Sequence, residues 1–135
     1  MKNKIGKIDF SALNKEPEPH ELYTAEYFSE RGLDIIFVKP SNIKGSNSPD
    51  FVMDGKIWEI KSPTGRSKRT FQDDLRKAMR QSKHIIFDLR RKDYRDHKWC
   101  IEKLKREAQS PQIYTMLAIL GDDELLIIKG KFDIM

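Results

Sequence analysis

The chain has 135 residues, 38% of them apolar, 35% charged and 10% aromatic, which is the size of one ordinary domain and too aromatic for a disordered chain. The formal net charge is +5, and the excess is concentrated in Lys61–Lys98, where thirteen Lys and Arg face five Asp and Glu, a balance that points to a polyanionic partner. A lone cysteine, Cys100, excludes an internal disulfide, and the lack of any long apolar run predicts no secretory signal, no transmembrane segment, no membrane partner and a cytoplasmic site of action.

In chain order, residues 1–19 show no periodicity and end in Glu16-Pro17-Glu18-Pro19, whose prolines keep the chain out of helix-interior geometry. This segment reads as an N-terminal arm or linker, with the domain proper over residues 20–135. From His20 to Arg31, Leu22, Ala25 and Phe28 recur at helical spacing and Gly32 supplies a stop. Asp34–Val38 reads as a strand closed by Pro40, and Ser41–Ser48 as a loop. Asp50–Met53 and Lys56–Lys61 are strand-like runs separated by Asp54-Gly55, a pair that tolerates the positive φ angles of a two-residue hairpin turn. Phe71, Leu75, Ala78, Met79 and Ser82 form one face of a second helix, with Thr70 expected as its cap. His84–Leu89 then reads as a buried strand, Asp96–Gln109 as a third helix, and Ile113–Leu120 with Leu125–Ile128 as a closing hairpin. The order predicts a three-layer α/β domain around a mixed central sheet flanked by helices.

The hairpin carries the chemistry. A two-residue turn at Asp54-Gly55 pairs Met53 with Lys56, Val52 with Ile57, Phe51 with Trp58, and Asp50 with Glu59. Because side chains alternate along a strand, Lys61 emerges on the face of Glu59, Ile57 and Val52, while Phe51, Trp58 and Ile60 line the other. Directly opposed like charges destabilise a hairpin unless something compensates. A hard divalent cation, Mg²⁺ first with Mn²⁺ or Zn²⁺ as alternatives, would do so, drawing on a few carboxylate oxygens plus water and phosphate. Such an ion could activate water, with Lys61 holding the nucleophile or offsetting the developing charge. If these are instead exposed strand residues, Lys61 is a diagonal salt-bridge partner. Large apolar side chains on both faces lead us to expect a hairpin covered on both sides, where charges need a purpose.

Ser48-Pro49-Asp50, eight further residues, and Glu59-Ile60-Lys61 resemble the PD-(D/E)xK nuclease signature. That resemblance implies a restriction-endonuclease-like core of helix, three-stranded meander, helix and strand, the order read above. It also implies a glutamate from the first helix at the metal site about three turns before a terminating glycine. Glu21 fits that description relative to Gly32; Glu26, five residues on, points about 140° away around the helix. The run Ser48-Pro49-Asp50-Phe51, Gly55-Lys56-Ile57-Trp58-Glu59-Ile60-Lys61-Ser62-Pro63 and the later Gln81-Ser82 are similar to the C-terminal toxin domains of contact-dependent inhibition proteins, over roughly His20 to Leu120. Several of those are tRNA nucleases, so the resemblance implies RNA, tRNA in particular, ahead of DNA, and a cognate immunity protein as a partner.

Arg66, Lys68 and Arg69 follow the catalytic strand, and Arg76 and Arg80 lie on one face of the second helix, placed to grip phosphates or to form a solvated basic surface. His20, His84 and His97 lack zinc-site spacing with Cys100, which is expected on a buried helix face. Trp58 is expected in the core, and Tyr94 and Trp99 either pack or stack on bases. The sequence thus predicts a metal-dependent endonuclease, against the alternative of a non-catalytic nucleic-acid-binding module that retains the fold.

Overall fold

The computed structural model describes residues 5–39 and 50–134. Pro40, the expected loop Ser41–Ser48 and the Ser48-Pro49 half of the motif lie outside the described residues. Among the described residues the elements are β1 (Ile8–Asp9), α1 (Pro19–Ser29), β2 (Ile35–Val38), β3 (Asp50–Met53), β4 (Lys56–Lys61), α2 (Lys68–Gln81), β5 (His84–Asp88), a 3₁₀ turn (Tyr94–Asp96), α3 (His97–Glu107), β6 (Thr115–Ile119) and β7 (Leu125–Lys129). Seven strands in the order β1-β2-β3-β4-β5-β6-β7 make a mixed sheet accompanied by three α-helices, an α/β architecture. The chain divides into two compact units, residues 1–58 with 133–135 and residues 59–132.

In the first unit the turn dictates the register. Asp54 and Gly55 both take positive φ, 54° and 72°, so β3 and β4 pair antiparallel as Met53–Lys56, Val52–Ile57 and Phe51–Trp58, as the sequence predicts. β2 runs antiparallel to β3, placing Val38 against Asp50 and Ile36 against Val52. β1, in the segment read as an arm, pairs in parallel with β2 through Ile8–Ile35 and Asp9–Ile36. Aromatic side chains build the core: Phe28 of α1 meets Phe51 edge to face at 6.4 Å, Phe51 meets Phe37 at 5.6 Å, and the buried Trp58 donates its Nε1–H to the Met53 carbonyl at 2.9 Å. The expectation that both hairpin faces are covered holds only in part: Glu59, on the face of Ile57, is buried, but the start of that face is open. α1 packs on the face of Phe51, while on the other face Ile36 and Ile57 are 46% and 51% exposed.

The second unit is a βαβαβ run. The end of β4 pairs in parallel with β5 (Glu59–Ile85, Ile60–Ile86, Lys61–Phe87), β5 pairs in parallel with β6 from His84–Thr115 to Asp88–Ile119, and β7 closes antiparallel on β6. Parallel strands need crossover connections, and α2 and α3 supply them. α2 is capped by Ser67, whose side chain accepts from the Thr70 amide at 3.1 Å. The expected cap at Thr70 is therefore corrected: both residues can cap, and the chain turns three residues earlier. Phe71, Leu75 and Ala78 of α2 and Cys100 and Leu104 of α3 cover Ile85, Phe87, Met116 and Ala118.

Candidate active site

Glu59 and Lys61 come together within the second unit. Alternation on β4 puts them on one face, with the Lys61 Nζ 3.5 Å from Glu59 Oε2; Glu59 is 1% exposed and the Lys61 side chain 17%. Lys61 stands at the C-terminal end of a parallel strand, the end at which open α/β sheets bind ligands. The loop that follows is tethered at both ends. Arg91 donates to the Ser62 carbonyl at 2.6 Å and to Ser62 Oγ at 3.1 Å, and Arg66 makes two 3.1 Å hydrogen bonds to the Asp96 carboxylate. The Arg66 hydrogen bond holds the Asp96 carboxyl below its ordinary value, and Arg95 does the same to Asp93.

Beside this loop Asp88, fully buried, receives two hydrogen bonds from the Arg90 guanidinium at 2.9 and 2.7 Å, and Arg90 also stands 3.7 Å from Asp123. The buried Lys92 lies with its ammonium 5.8 Å from the Phe71 ring centre. Neither Arg91 nor Lys92 was singled out from the sequence, although the run Arg90-Arg91-Lys92 directly after a buried parallel strand was the available signal.

Asp50 and Glu21 belong to the first unit, and both are buried, each 6% exposed. Asp50 sits opposite Val38. Glu21 has a structural occupation: its Oε1 accepts the Glu18 backbone N–H at 2.8 Å, part of the cap that starts α1. Glu26, its competitor, is exposed. Among the described residues no group of three or more His, Cys, Asp or Glu stands assembled to hold a metal ion.

The basic residues divide. Arg66 is committed to Asp96, Lys68 stands 5.2 Å from the Trp99 ring centre, Arg76 pairs with Asp73 at 3.5 Å, and Arg69 and Arg80 are exposed. Trp99 packs on Phe71 at 5.6 Å, whereas Tyr94 is 80% exposed. Cys100 is buried, and burial pushes its thiol up to about 11, so it has no nucleophilic character near neutral pH. His84 is tied to Thr115 Oγ1 and His97 to the Lys92 carbonyl, both at 3.1 Å.

Residues 47–131 match the contact-dependent growth inhibition CdiA C-terminal domain, and the chain belongs to that family of toxin domains. It is also similar to a chain of the CdiA-CT/CdiI toxin and immunity complex from Burkholderia pseudomallei, with a TM-score of 0.64 and 17% identity over 92% of this chain and 99% of that one. At that identity the likeness speaks for the fold. No curated protein sequence matches the chain. No helix among the described residues is long and apolar enough to cross a membrane.

Proposed function

We propose that this toxin domain is a metal-dependent endonuclease of the PD-(D/E)xK type on a restriction-endonuclease-like core. Residues 20–135 form the nuclease domain and residues 1–19 its arm. Its substrate is RNA, tRNA-like first and DNA second, in the cytoplasm of the cell that receives it. The observation that carries the reading is Glu59, 1% exposed, with the Lys61 ammonium at 3.5 Å. Removing a carboxylate from water costs several kcal/mol even when paired, and apolar side chains of similar volume serve stability as well or better. The strand uses apolar residues at Trp58 and Ile60 on either side, so the buried pair is kept for chemistry.

Lys61 retains some exposure, and its ion pair fixes the ammonium before substrate arrives, so no ordering is needed as negative charge develops on the phosphodiester. Its role is to hold the attacking water or offset that charge. Asp50 and Glu59 offer hard oxygen donors that suit Mg²⁺, with Mn²⁺ or Zn²⁺ as alternatives; Mg²⁺ takes one or two carboxylates and keeps waters and substrate phosphate, so it needs no cage of three side chains. Glu21 is proposed as a further carboxylate, with one oxygen spent on the helix cap. The ion would supply Lewis-acid polarisation and a more acidic water. Arg66, Lys68, Arg69, Arg76 and Arg80 are proposed to contact the nucleic-acid backbone. An immunity protein is the proposed protein partner, since the similar solved chain comes from a toxin and immunity complex.

The test is cleavage of total tRNA and of plasmid DNA with Mg²⁺, Mn²⁺ or Zn²⁺, or with chelator, by the wild type and by Asp50→Ala and Glu59→Ala. Metal-dependent cutting reduced at least a hundredfold in both variants is expected. Cutting that survives both substitutions would remove Asp50 and Glu59 from the site, and no cutting with any metal would replace this mechanism with a non-catalytic binding module.

A further inference from the structure

The second unit carries a groove of which the nuclease reading uses only Arg80. It is an open groove of about 580 Å³ at the C-terminal end of α2, beside the turn leading into β6, and is lined by Met79, Arg80, Lys83, Gln112 and Tyr114 among others. That volume falls within the roughly 300–1,000 Å³ of pockets that hold small organic groups. A further hollow of about 210 Å³ shares Met79, Arg80 and Gln112 with it and adds Arg76 and the Lys103–Glu107 ion pair.

Tyr114 is 55% exposed, yet its ring is braced. The His84 ring meets it at 6.0 Å and 86°, His84 is held by Thr115 Oγ1, and the Tyr114 amide donates to the Lys83 carbonyl at 2.8 Å. The Lys83 ammonium stands 4.9 Å from the ring centre. Arg80 and Lys83 have no carboxylate within 4 Å among the described residues. A surface kept only for solubility has no use for a braced, exposed aromatic ring. A protein-docking patch would surround it mainly with apolar side chains, whereas here the exposed neighbours are Arg80, Lys83, Gln112 and a single apolar residue, Pro111. A ring set among cations and an amide has the chemistry of single-strand recognition: bases stack on the ring, cations take phosphates, and the amide bonds a base edge.

We propose that this groove is a binding subsite for an unpaired stretch of nucleic acid. One base stacks on Tyr114 in place of the Lys83 ammonium, and Arg80 and Lys83 take the adjoining phosphates. The subsite deepens the nuclease reading and rests on it for its setting. Glu59 lies beside Ile85, and Ile85 beside Met116, two residues beyond Tyr114. Strand spacing and rise put the Glu59 and Tyr114 Cα atoms about 12 Å apart and, with Lys61 beside Phe87 and Phe87 beside Ala118, the Lys61 and Tyr114 Cα atoms about 16 Å apart. The groove lies at the N-terminal edge of β5 and β6 and Lys61 at the C-terminal end of β4, so one strand occupying both must run from edge to edge.

The experiment is fluorescence anisotropy in chelator, with labelled U12, dT12 and a blunt duplex of equal length, on the full chain and on Tyr114→Ala, Tyr114→Trp and Arg80→Ala. Tyr114→Ala is expected to weaken single-strand binding about tenfold, the size of one lost stack, and to leave duplex binding unchanged. Loss for U12 alone assigns the subsite to RNA, for dT12 alone to DNA, and either supports it. Tyr114→Trp should bind as the wild type does, and Arg80→Ala should lower the salt slope by about 0.7, one phosphate contact. Unchanged single-strand binding by Tyr114→Ala, equal loss on the duplex, or a Tyr114→Trp protein as weak as Tyr114→Ala overturns the proposal. Because no metal is present, cleavage does not enter. A chain that cuts nothing yet loses U12 with Tyr114→Ala keeps the subsite and loses the nuclease reading, and cutting with unchanged binding does the reverse.

Discussion

The strands of the two units solve the problem of burial differently. In the first unit, β2, β3 and the start of β4 bury one face through Phe37, Phe51 and Trp58 and leave Ile36 and Ile57 about half exposed on the other. In the second unit β6 is buried along its whole length and β5 at every position but its first. A strand buried on both faces has no alternation to enforce, so it reads as a continuous apolar run, and any charge within it stands out. Asp88 and Glu59 stand out in this way, and each has an arginine or lysine within ion-pair distance. One-sided burial fixes register by pattern, whereas two-sided burial marks the residues that are kept at a cost.

The comparison breaks most visibly if core truncation in the second unit is mild. Phe87→Ala removes a fully buried ring that packs on Phe71 at 5.3 Å, and urea denaturation should show a loss of about 3–5 kcal/mol. A loss below about 1 kcal/mol would mean that these strands are not packed on both sides. A smaller effect separates the ion pairs of the second unit. Asp96 and Asp93 are held below the ordinary 3.8 by hydrogen bonds from Arg66 and Arg95. A carboxyl depressed in the fold adds stability that is full above its unfolded value and lost as pH falls through its folded value. Melting temperature should therefore drop below about pH 4, and Asp96→Asn should give a shallower acid limb; parallel curves would remove this pair from the account. The smallest effect belongs to the open face of the first unit, where Ile57→Thr should change stability by no more than about 0.5 kcal/mol. A cost near that of Phe87→Ala would show the face to be covered after all.

Local chemistry explains what was legible in the sequence. Asp54-Gly55 permits two successive positive φ angles, so the hairpin and its three nearest pairs could be read directly, and the apolar runs of β5 and β6 announced themselves. β1 could not be read, because two residues have no period and their pairing with β2 is decided 27 residues away. Glu59 and Lys61 were legible as a pair because alternation puts them on one face. The cap role of Glu21 had a signal in its three-residue spacing from Glu18, weakened because glutamate is not a usual capping residue. Arg91 and Tyr114 were not read, since their partners, Ser62 and His84, are set by tertiary contact.

One glycine has a reach beyond its own strand. Gly130, just past β7, has φ +86°, and a Cβ there would fall 2.6 Å from the Tyr114 carbonyl oxygen and 3.2 Å from Thr115 Oγ1. Any side chain at this position would push on the peptide that carries the Tyr114 ring and on the hydroxyl that anchors His84. Drift at position 130 would thus disable the groove while every cation and aromatic in it was still encoded, so a comparison restricted to the groove's own residues would overlook the change.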